Sequence, residues 1–141
     1  MKSKRQSRVM AMQLLYAMNQ QNLPMAMVLD GVLSTMELDD NQKSYGMKLV
    51  DLVQEHKDTL KSEIESCLDR WEWERVALVD RLVMQIAWAE IKNCGDVPVK
   101  VVISEAISIA KKYSTKESPK FVNAILDRLA RDVLDSSGEK I

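Results

Sequence analysis

The sequence is short of the residues that make turns, sheets and reactive centres. It has four glycines and three prolines in 141 residues, which leaves few places for tight turns. Gly31, Gly46, Gly95 and Gly138 stand isolated, so there is no glycine-rich loop to cradle a phosphate. Aromatics make up 5% of the chain, and phenylalanine occurs once, as Phe121. Strands favour β-branched and aromatic residues, so this balance, together with nine methionines, predicts helices with a core of flexible aliphatic side chains. The single histidine, His56, has no nearby cysteine or serine, which argues against a nucleophile–base pair. Carboxylates are plentiful but fall at helix-surface spacing; Glu63 and Glu65, for example, point apart on a helix. Cys67 and Cys94 lack metal spacing and ligand companions, so they read as small buried or half-buried thiols rather than a disulfide, and neither a metal nor a cofactor is expected. No run approaches the roughly 20 apolar residues of a membrane span. The basic start lacks the long apolar run of a secretory signal. These absences point to a binding protein rather than an enzyme, cytoplasmic and without membrane association.

What is present is helical periodicity. Val9, Met12, Leu15 and Tyr16 form an apolar stripe over 5–21, closed by a break at Asn22 and Pro24. Met25, Val28, Leu29, Val32 and Met36 predict a second helix over 25–36. Asp39, Asp40 and Asn41 offer caps for a third, in which Gly46 is a weak point. Leu60, Ile64 and Leu68 mark a fourth. After Trp71 and Trp73, residues 74–93 are apolar nearly all round, as in the buried centre of a bundle. A sixth helix is expected over 101–113, with the β-branched run 97–103 as the one stretch that could pass for a strand. Ser118 as N-cap and Pro119 at the first helical position predict a seventh, through Val122, Ile125, Leu126 and Leu129. The polar tail from Ser136 is expected to fray. The fold class is thus all-α, with about seven helices. At this length a single domain is expected over 1–141, with approximate subdomains 1–70 and 71–141.

Net charge is −1, so bulk electrostatics selects no partner, but the distribution is uneven. Lys2, Lys4, Arg5 and Arg8 open the chain without an acid. Lys111, Lys112, Lys116 and Lys120 crowd the last helix junction, and with Arg128 and Arg131 they give 111–131 six cations against Glu117 and Asp127, while 51–75 holds eight carboxylates against four cations. Two basic segments on an otherwise acidic chain predict an anion-attracting face, with a solvated helix surface as the bland reading of the same residues.

Three blocks resemble the NusB family of bacterial transcription antitermination factors. They are Lys4-Arg5 and Arg8 followed by Gln13-Leu14-Leu15-Tyr16; Val79-Asp80-Arg81 through Ile86-Ala87, Glu90-Ile91, Asp96-Val97-Pro98 and Ser104-Glu105-Ala106; and Ser118 with Phe121-Val122-Asn123-Ala124-Ile125-Leu126-Asp127. Residues 20–70 match only as generic helix. The resemblance implies two small packed helical bundles. It also implies binding of boxA-type single-stranded RNA together with the ribosomal protein NusE, and association with the elongating RNA polymerase, notably on ribosomal RNA operons. Cations neutralise phosphates, and unstacked bases are read by flat side chains. RNA-binding expectations therefore fall on Lys4, Arg5, Arg8 and Lys120, with Tyr16 and Phe121 for stacking. The resemblance places the ribosomal-protein contact at Glu74 and Asp80. Gln85, Ala89, Ser104 and Ala124 depart from the family's usual residues. The other readings are a helical protein-interaction adaptor with weak or no RNA binding, and the RNA-binding half of a methyltransferase. The 141 residues hold no nucleotide-binding segment for the latter. Monomer or homodimer stays open.

Overall fold

The computed structural model describes residues 3–134; Lys2 and the polar tail from Ser136 lie outside the described residues. Seven α-helices and no strand are found among them: α1 (Arg5–Gln21), α2 (Met25–Leu33), α3 (Asp40–Glu55), α4 (Lys57–Glu65), α5 (Leu78–Asn93), α6 (Val99–Tyr113) and α7 (Ser118–Leu129). A single 3-10 turn, Trp73–Arg75, precedes α5, and a π turn, Ala130–Leu134, follows α7.

Local chemistry sets the boundaries. Asn22 closes α1 in the left-handed region at φ 51°, which asparagine tolerates better than most residues. Asp39 caps α3 through a capping box with Gln42, each side chain taking the other's backbone N–H. α2 stops at Leu33, short of the predicted Met36. The hydroxyls of Ser34 and Thr35 bond back to the Gly31 and Val32 carbonyls, both at 2.8 Å, and end the helix. The β-branched run before Ser104 is helical, starting directly after Pro98. The N-cap of α7 is Glu117, so Ser118 is the first helical residue and its hydroxyl serves another purpose.

α5 organises the packing. α1 packs on α2 and α3, α6 and α7 pack together on the other side, and α1, α3, α4, α6 and α7 all touch α5. Trp88, Met84 and Ala89 at its middle are fully buried. The buried indole of Trp88 donates to Glu63 of α4 at 3.0 Å, which satisfies its only polar atom. Met10 of α1 lies against Gly46 of α3, where the two helices cross at close range. α1 runs antiparallel to α5: Arg8 meets Glu90, Met12 lies with Val83 and Ile86, and Leu15 lies with Leu82 and Leu78. The two cysteines are free and buried.

Candidate nucleic-acid interface

The basic arm enters the fold through Arg8. Its Nε and Nη2 donate to the two carboxylate oxygens of Glu90, both at 2.7 Å, and the side chains are 5% and 0% exposed. Such a forked pair suits a guanidinium and a carboxylate that share no water. Tyr45 of α3 donates its hydroxyl to the same carboxylate at 2.6 Å. Burial first, then the hydrogen bond to Glu90 and the Glu90 charge, push the Tyr45 hydroxyl well above its ordinary range, so it remains a donor. A third bond from Arg8 reaches Glu105 of α6 at 3.3 Å.

Arg5, one turn earlier, reaches the surface. Its Nε donates to both oxygens of Glu105 at 3.2 Å, and its side chain remains 49% exposed. The hydrogen bond from Arg5 holds the Glu105 carboxyl below the usual carboxylate range; partial burial opposes this, and the charges of Arg5 and Arg8 add to it. Lys4 is exposed, with its ammonium 3.7 Å from Asp96 and 4.9 Å from the centre of the Tyr45 ring. Tyr16 sits further along α1, exposed, its hydroxyl accepting from Gln20 at 3.1 Å.

The second region lies at the other end of α5. Asp80 is 5% exposed and accepts the Ser118 hydroxyl at 2.9 Å, tying the start of α7 to the start of α5. The Ser118 oxygen also accepts from the backbone N–H of Thr115 at 3.1 Å. Lys120 next in line is exposed, and Phe121 is half-buried, its ring edge-on to Trp71 with centroids 6.3 Å apart and planes at 70°. Glu74 is exposed on the rim of a groove lined by Leu15, Met18, Val53, Trp73 and Leu78.

The residues expected from the sequence therefore form two groups. Lys4, Arg5 and Arg8 gather where α5 ends and α6 begins; Lys120, Phe121 and Asp80 gather where α5 and α7 begin. From Asp80 to Glu90 the helix rises about 15 Å. Glu90, Glu105 and Tyr45, which organise the arm, carry no functional expectation in the sequence reading. Glu90 had a signal: a carboxylate in a helix that is apolar all round needs a buried partner. Among the described residues no group of His, Cys, Asp or Glu could hold a metal, and no helix is long and apolar enough to cross a membrane.

The model of the NusB family matches residues 5–131. A transcription antitermination protein NusB of Chloroherpeton thalassium is 39% identical over 132 residues, covering 93% of this chain and 63% of that protein. One of Trichlorobacter lovleyi is 37% identical, covering 89% of each. In solved structures, T. maritima NusB superposes with a TM-score of 0.83 at 29% identity, over 93% of this chain and 92% of that one. Antitermination factor NusB, in a crystal with NusE and double-stranded RNA, gives 0.79 at 22% identity over 91% and 96%, a likeness of fold.

Proposed function

Because the chain belongs to the NusB family, we propose that it is a transcription antitermination factor that binds boxA-type single-stranded RNA together with NusE and associates with elongating RNA polymerase. It acts by binding, in the bacterial cytoplasm, and as a single unit with subdomains near 1–70 and 71–141. One observation carries the RNA part: Lys4 and Arg5 stand exposed at the start of α1, above the buried anchor Arg8–Glu90. A phosphate backbone can neutralise the exposed pair. Arg8 serves the RNA from below, by fixing where the other two stand. Lys120 extends the positive surface, and Tyr16 and Phe121 supply rings for bases. Glu74 is assigned to the ribosomal protein from its exposed rim, with Asp80 shaping the same end by holding α7.

The test is a titration of labelled boxA RNA, with and without NusE, at two salt concentrations. Tight binding that weakens as salt rises supports the reading; equal, weak binding under all four conditions overturns it. The adaptor reading draws on a specific feature: Lys4 and Arg5 already have carboxylate partners in Asp96 and Glu105, which reduces the field they offer RNA. It predicts NusE capture without RNA protection. Sedimentation of the free chain distinguishes monomer from homodimer.

A further inference from the structure

Trp71 is 56% exposed, whereas Trp73 and Trp88 are 7% and 0% exposed. An indole so placed leaves a large apolar face in water, and the backbone around it gives that face a fixed position. On one side, Arg128 of α7 donates to the Cys67 carbonyl at 3.4 Å and to the Asp69 carboxylate at 2.8 Å, clamping the chain just before Trp71. On the other, Trp73 is buried beneath the Arg81 guanidinium, which stands 5.7 Å from its ring centre. Between these anchors the rings of Trp71 and Phe121 stand near-perpendicular, an arrangement that steadies both while more than half of Trp71 stays in water.

The charges around the ring are sorted. Asp69 is engaged by Arg128, and Glu72 pairs with Arg75 at 3.6 Å. Arg70 and Lys120 flank the two rings in sequence, are exposed, and make no ion pair among the described residues. Glu117, a turn before Phe121, is the opposing charge. An anchored, exposed indole, with an exposed cation next in sequence to each of the two rings, matches the chemistry of a single-stranded nucleic acid, whose bases stack on rings and whose phosphates seek cations.

We propose that Trp71 is the stacking shelf for one unpaired nucleobase, with Phe121 as its edge-on buttress and Arg70 and Lys120 taking the neighbouring phosphates. This rests on the RNA-binding reading above and adds to it a residue that the blocks of resemblance do not contain. The shelf accepts any base, since every base has a π face, so it contributes affinity more than sequence choice.

The experiment uses the full chain and a fluorescein-labelled single-stranded boxA-type RNA, with tryptophan emission read in parallel on unlabelled RNA. With the other two indoles buried, the long-wavelength, acrylamide-quenchable emission reports Trp71. RNA is expected to quench that component and protect it from acrylamide. Trp71→Ala should weaken binding about ten- to a hundredfold, the range of one lost base stack. It should leave the salt slope unchanged, because no phosphate contact is lost. Trp71→Phe should recover most of the affinity, which a general loss of folding would not. Lys120→Gln should weaken binding less and flatten the slope. If the RNA binds the wild type but Trp71→Ala binds equally well and the emission does not respond, the shelf is wrong and the RNA reading stands. If Trp71→Ala instead loses NusE alone, the ring is a protein contact and the proposal is overturned. If no form binds RNA, both fall together.

Discussion

Arg8 shows how little residue type alone reveals. In sequence it is one more cation of a basic arm; in the fold it lies under the surface, forked onto Glu90. Breaking a buried ion pair by removing one partner leaves an uncompensated charge, at a cost of about 3–5 kcal/mol. Arg8→Ala and Glu90→Gln should each lower the unfolding free energy measured by urea titration by that amount, and the double variant should cost less than their sum. Charge reversal at Arg8 would set two carboxylates face to face, so loss of RNA binding there would report unfolding; Lys4 and Arg5 are the informative positions. Glu105 gives a pH prediction. Its carboxyl is lowered in the folded state from an ordinary 4.5, chiefly by the Arg5 hydrogen bond. A lowered carboxyl stabilises the fold fully above the unfolded value, and that contribution disappears as pH falls through the folded value. Melting temperature measured from neutral to acid pH should therefore fall less steeply for Glu105→Gln than for wild type, the two differing most above the carboxylate range.

At the scale of the elements, periodicity set the helices and local hydrogen bonds set their ends. The seven apolar stripes were legible in the chain because each helix buries one face, and α5 stood out because it buries nearly all of its surface. The misplaced ends have separate causes. Ser118 has the side chain of an N-cap, yet its hydroxyl goes to Asp80 on another helix, a partner no local pattern reveals. Ser34 and Thr35 end α2 by bonding backwards, although the apolar spacing continues to Met36. Gly46 illustrates the reverse case. By propensity alone, alanine there should strengthen α3 by about 1 kcal/mol. An added Cβ would instead lie 2.7 Å from the Met10 sulfur and 3.0 Å from the Ser7 carbonyl oxygen, and the backbone atom cannot rotate away. Gly46→Ala should thus destabilise the protein by about 1–3 kcal/mol, the usual range for overpacking. Thermal melts would reveal it, and an increased melting temperature would mean that the α1–α3 crossing is looser than it stands here.

For the molecule as a whole, the question is whether the arm and the α7 junction serve one strand of RNA. They sit about 15 Å apart along α5, a span for a short run of nucleotides rather than a single contact. The arm supplies a phosphate term without sequence preference. Lys4→Gln and Arg5→Gln should therefore weaken boxA and scrambled RNA alike. Each should reduce the slope of log K against log salt by about 0.7, the single-strand value per phosphate. Unchanged slopes in a filter-binding series would remove the arm from the interface. Ring variants at the other end, Trp71→Ala and Phe121→Ala, should change affinity with the slope preserved, whereas Lys120→Gln should flatten it.

Fold class, the central position of α5 and the family blocks were already legible in the chain. These depend on spacing and composition, and spacing is written along the chain. Which charges are available follows only from contacts between helices. Folding buried Arg8 on Glu90, left Arg5 half-engaged with Glu105, and hid Asp80 under Ser118. It also brought Trp71 and Phe121 edge to face across fifty residues of sequence. A side chain's charge is fixed by its type, but its solvation and partners are set by helices that meet only when the chain has folded.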